Sequence, residues 1–97
     1  MMSEPFADRA ELLTPPHNYA VVQLPTRRYP GVVVQGDSLS ILCEGATSVA
    51  ELARDSAAFE EAVLLRDDLN AILRGYIAVL EQRGIELPFA YRPPPAH

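Results

Sequence analysis

An α+β fold is the class this sequence predicts, and three observations predict it. Two short runs rich in β-branched and aromatic residues, 19–24 and 32–35, are joined by a Pro/Gly-bearing connector, the pattern of an antiparallel β-hairpin. Two stretches with apolar residues at helical spacing follow, the second much the longer. A short extended segment at residues 85–91 closes the pattern. With 97 residues the chain suits one domain. A chain of that size buries roughly 60–65% of its unfolded surface, enough for one core. The expected organisation is an N-terminal extension over residues 1–17, one α+β domain over 18–91 and a Pro-rich flexible tail over 92–97.

In chain order, Phe6, Ala10 and Leu13 share a helical face, so residues 3–13 are expected as a short helix ended by Thr14-Pro15-Pro16. Tyr19-Ala20-Val21-Val22-Gln23-Leu24 is the first strand, halted by Pro25. Tyr29-Pro30-Gly31-Val32 carries the signature of a type II turn, Pro fixing φ and Gly accepting a positive one. Val32-Val33-Val34-Gln35 is the second strand; Gly36 breaks it, and Asp37 or Ser38 caps the next helix. Leu39, Leu42, Ala46, Val49 and Ala53, with Cys43 and Ala50 beside them, make a stripe about 120° wide, a normal core face. Gly45 and the capping-box pattern Ser48-Val49-Ala50-Glu51 mark where that helix would kink.

Ser56 is placed to cap the long helix, expected over residues 57–83 with Gly84 just past its end. Its apolar positions, from Phe59 through Leu69 to Leu80, spread over roughly 160–200°, wider than one packed face requires. Either this helix is central or part of it faces a second chain. Residues 85–91 are expected at a sheet edge, where Pro88 is tolerated.

Composition narrows the function classes. The net charge is −5, and all eight basic residues are arginines. An acidic balance disfavours nucleic acid and anionic membranes, which call for a basic footprint. It accommodates a basic protein partner. A single cysteine, Cys43, forbids an internal disulfide and fits a reducing compartment. The start shows no signal-peptide pattern and no run reaches the ~18 apolar residues of a membrane span, so the cytoplasm is expected. His17, His97 and Cys43 have no ligand spacing and no Gly-rich phosphate loop is present, so neither metal nor cofactor is expected. Asp67-Asp68 and Glu60-Glu61 read as solvated surface, and Cys43, beside the apolar stripe, reads as a buried, inert thiol.

Gly36-Asp37-Ser38-Leu39, after a strand and before a helix, resembles the nucleophile block of the GDSL-type (SGNH) esterases. That resemblance implies Ser38 as nucleophile, activated by a histidine from a late Asp-x-x-His block. A serine without its base is a poor nucleophile, and neither His17 nor His97 lies in such a block. The chain is also about half the length that family's fold needs. Turn and cap roles account for all four residues, and no catalytic residue is assigned.

Arg27, Arg28, Tyr29, Gln35 and Asp37 form the candidate binding set, since guanidinium forks grip carboxylates and phosphates. The competing account has Gln35 and Asp37 bracing the arginines across the turn. The run from Arg27-Arg28-Tyr29-Pro30-Gly31 through Gln35-Gly36-Asp37-Ser38-Leu39, with the ending Gly84-Ile85-Glu86-Leu87-Pro88-Phe89, resembles a family of small uncharacterised bacterial proteins. That resemblance implies the fold and brings no activity. The expected function is a non-enzymatic protein-interaction module, with an immunity or antitoxin-like protein as its specific form. Its partner is a protein, or a second copy met through the long helix. A small-anion sensor built on Arg27, Arg28 and Gln35 is the alternative.

Overall fold

The computed structural model describes residues 9–16 and 18–94. They form two compact units, a sheet unit that ends at Gln35 and a helical unit that begins at Gly36. The sheet has three antiparallel strands in the order β1 (Glu11–Leu12), β2 (Tyr19–Gln23), β3 (Gly31–Val34). In β2, Ala20 and Val22 are buried while Tyr19 is exposed, the two-residue period of a one-sided strand. β2 and β3 form the expected hairpin, with Tyr19 opposite Val34 and Val22 opposite Gly31.

Three expectations about the sheet are corrected. Residues 11–12 are a strand, not the end of a helix; the expected helix's residues 3–8 lie outside the described residues. The Leu13 amide donates to the Val21 carbonyl at 2.8 Å, and the Val21 amide donates to Thr14 Oγ1 at 3.1 Å. A helix of that length is marginal alone, and pairing with β2 satisfies the same backbone groups. The type II turn at Pro30-Gly31 is not formed, because Gly31 has no positive φ and begins β3. The reversal comes earlier: the Arg27 amide donates to the Leu24 carbonyl, and Gln23 Nε2 donates to the carbonyls of Leu24 (3.1 Å) and Arg27 (2.6 Å). Pro25, with its fixed φ, stands where a turn of this kind favours it. Residues 85–91 are not a strand and pair with nothing in the sheet.

The helical unit is an antiparallel hairpin of α1 (Gly36–Leu52) and α2 (Phe59–Gln82). α1 is one continuous helix through Gly45 and Ser48, so the kink does not occur. It starts at Gly36, and Asp37 Oδ1 accepts the Ser38 amide at 2.9 Å in its first turn. Ser56 does not cap the helix but acts in the connector, two residues ahead of the observed N-cap: its hydroxyl accepts the Ala58 amide (3.1 Å) and donates to the Ala53 carbonyl (3.0 Å). α2 then begins at Phe59 with Ala58 at its N-cap position.

α2 ends as expected. Gly84 has φ +66°, its amide donates to the Glu81 carbonyl, and the Ile85 amide donates to the Leu80 carbonyl at 2.9 Å. That pair of bonds is a Schellman motif, satisfying carbonyls the helix would leave bare. The hairpin core holds Leu39, Cys43, Ala46 and Ala50 of α1, with Ala62, Val63, Leu73, Ile77 and Leu80 of α2. Ala50, Ala62 and Val63 cluster near the connector with Ala53 and Phe59. At the other end Gly36 faces Tyr76 so closely that a β-carbon there would overlap the ring. Gly36 is therefore a packing requirement as well as a strand breaker.

Candidate functional site

The candidate set does not gather in one place. Arg27, Arg28 and Tyr29 lie in the exposed connector at the turn end of the hairpin, beyond the Val22–Gly31 pair. Gln35 lies at the opposite end, its amide donating to the Asn18 carbonyl at 2.9 Å. Four residues of strand separate Gln35 from Gly31, about 14 Å at the usual rise. Gln35 therefore neither braces the arginines nor shares a ligand with them. The Arg28 guanidinium lies over the neighbouring Tyr29 ring, 5.2 Å from its centroid, an exposed cation–π contact. Asp37 is engaged within α1's own first turn.

Two polar side chains of α2 that sequence reasoning passes over are buried on its core face. Arg66 is 6% exposed, with Nε donating to Asp67 Oδ1 at 2.9 Å. Asn70 is 3% exposed, and its Nδ2 donates to the Tyr91 hydroxyl at 3.2 Å. Their signal is present in spacing: residues 66, 70, 73 and 77 recur on one helical face with Leu73 and Ile77. Among the described residues, no buried side-chain nitrogen or oxygen lacks a partner.

The Asn70–Tyr91 bond ties the C-terminal segment onto the hairpin, and Phe89 stacks on Tyr76 with centroids 6.3 Å apart. Pro88 has no amide to offer a ladder, so aromatic anchors on α2 hold the segment where a sheet edge was expected. Beneath residues 90–94 lies a cleft of about 340 Å³, lined by Ser40, Cys43, Glu44, Thr47, Leu73 and Tyr91 among others. Arg92, Pro93 and Pro94 line it too, so the start of the expected flexible tail lies against the helices. Burial raises the Cys43 thiol above its ordinary pKa, the environment of an inert thiol.

The outward faces of the two helices are apolar. On α1, Ile41, Leu42, Val49 and Leu52 are exposed, Leu52 by 88%. On α2, Leu64, Leu65, Ile72 and Val79 are exposed, Ile72 by 61%. At 100° per residue these sets fall within about 100° of arc on each helix, turned away from the buried stripes. The wide apolar arc of the long helix thus resolves into two faces, one buried and one open.

Two antiparallel helices preceded by a small antiparallel sheet define an α+β protein. The chain belongs to a family of unknown function, DUF6959, whose model matches residues 7–89. No curated protein and no solved structure matches it. No helix among the described residues is long and apolar enough to cross a membrane.

Proposed function

We propose that this chain is a non-enzymatic protein-interaction module of the cytoplasm that docks through the outward face of its helical hairpin. The observation that carries the reading is the set of five large apolar side chains, Leu42, Val49, Leu65, Ile72 and Val79, exposed along one side of two adjacent helices. Contiguous apolar patches beyond a few hundred Å² are rare on monomers and mark interaction surfaces. The net charge of −5 favours a basic partner, which supports an immunity or antitoxin-like form that occludes a basic toxin surface.

The test is direct binding, by calorimetry, between the purified chain and each protein encoded beside it. A stoichiometric complex is expected, lost in Val49→Glu/Leu65→Glu while the circular dichroism spectrum is retained. A chain that binds none of them, or a complex indifferent to those two substitutions, overturns the reading. The anion-sensor reading is weakened by the hairpin register, which leaves Arg27 and Arg28 without Gln35.

A further inference from the structure

The outward face of α2 has an internal symmetry that names its occupant. Glu61, Leu65, Ile72, Val79 and Arg83 follow one another at steps of 4, 7, 7 and 4 residues, a palindrome centred on Ile72. At 100° per residue they fall within about 40° of arc, so they form one straight seam along the helix. Leu65, Ile72 and Val79 are the exposed apolar members; Glu61 and Arg83 are exposed at its two ends.

Resting on the docking face assigned above, we infer that its occupant is a second copy of this chain, related by a two-fold axis through Ile72 so that the two α2 helices run antiparallel. That register sets Ile72 against its equivalent and Leu65 against Val79 of the second copy. Glu61 meets Arg83 of the second copy, and the symmetry makes that ion pair twice. A symmetric self-contact of this kind requires a self-complementary surface, and the palindrome supplies one. Reading the seam in parallel sets Glu61 against Glu61 and Arg83 against Arg83, so charge selects the antiparallel arrangement.

α1 adds to the same face. Residues 90–94 lie over the side of the hairpin marked by Thr47 and Glu44 on α1 and by Asn70 on α2. Leu42 and Val49, seven residues apart, point away from that side, as do Leu65 and Ile72. Two hairpins meeting on these faces form a four-helix arrangement. A two-fold axis at Ile72 overlaps α2 over residues 62–82, about 31 Å of helix, and, because Gly36 lies level with Tyr76, only the first half of α1, about 13 Å. At a helix spacing of roughly 10 Å the overlap offers about 450 Å² per copy. That is about 900 Å² in total, the range of weak and transient interfaces, so the dimer is reversible.

Sedimentation equilibrium across a concentration series tests this. The expected result is a monomer–dimer equilibrium that Ile72→Glu shifts to monomer. Glu61→Arg and Arg83→Glu should each weaken association about tenfold, since two attractive pairs become two repulsive ones. The double variant Glu61→Arg/Arg83→Glu should recover to within about threefold, which no partner other than a second copy predicts. Monomer at every concentration, or single swaps without effect, or a double variant as weak as the singles, overturns the inference. A monomer that still binds a co-encoded protein overturns self-association alone and leaves the docking reading standing. A swap-sensitive dimer that binds none of those proteins supports self-association on its own.

Discussion

Glycine 36 shows how one residue does two jobs, and only one of them is visible in sequence. As a strand breaker it is read directly from its place between Gln35 and Asp37. Its second role, admitting the Tyr76 ring, depends on a residue forty positions away. In a helix, Gly→Ala ordinarily stabilises by about 0.5–1 kcal/mol. At Gly36 the added carbon overlaps a ring already stacked on Phe89, so Gly36→Ala is expected to destabilise by about 1–3 kcal/mol in urea unfolding. Gly45, where a β-carbon meets nothing within 4 Å, is the control, and Gly45→Ala should stabilise. Cys43 yields a pH prediction. Burial raises its pKa in the folded state, so the unfolded thiol ionises first as pH rises. Its contribution is fully present below the unfolded thiol's pKa and falls away as pH climbs through the folded one. Urea titrations at neutral and alkaline pH should show that loss, and Cys43→Ala should flatten it. Ser38 is predicted inert: its backbone amide donates to Asp37 Oδ1 inside the first turn of α1, and Ser38→Ala should leave any background hydrolysis of a chromogenic ester unchanged.

Among the elements, the two helices and the hairpin are legible from local pattern. Their ends are less so. Gly84 is legible because a C′ glycine is a local device, bonding only to the turn before it. A positive φ is costly for any residue with a β-carbon, so Gly84→Ala should lower stability by about 1 kcal/mol, read as a shift in urea midpoint. The third strand is not legible, for a different reason. Residues 85–91 and 11–12 both carry apolar, extended-compatible residues, and propensity does not say which will pair with β2. Thr14 Oγ1, accepting the Val21 amide, helps to hold the N-terminal segment there. Tyr91 and Phe89 hold the C-terminal one on α2. The buried Asn70 is part of that second anchor. Asn70→Ala leaves the Tyr91 hydroxyl without this partner and should cost about 1–2 kcal/mol.

At the scale of the whole molecule, the candidate site is only partly legible. The excess width of the α2 apolar arc is a property of sequence spacing, and spacing alone singles out this helix. Which part of the arc is open is not encoded in that spacing. Burial separates Leu73, Ile77 and Leu80 from Leu65, Ile72 and Val79, and periodicity alone treats them alike. If the outward face pairs with a second copy, the melting temperature should rise with protein concentration, because association stabilises the folded state by mass action. Ile72→Glu should remove that dependence without lowering the melting temperature of the dilute chain, since Ile72 is already in water there.

By itself the sequence determined the α+β class, the β2–β3 hairpin, the two helices and the Gly84 stop. Each rests on contacts between near neighbours in the chain, whose spacing the sequence records directly. The tertiary structure alone decided that β1 completes the sheet, that Gln35 stands a strand's length from Arg27 and Arg28, and that Arg66 and Asn70 are buried. It also decided which face of α2 stays open. Those outcomes depend on which distant segments compete for the same backbone edge or helix face, and one-dimensional spacing carries no measure of that competition.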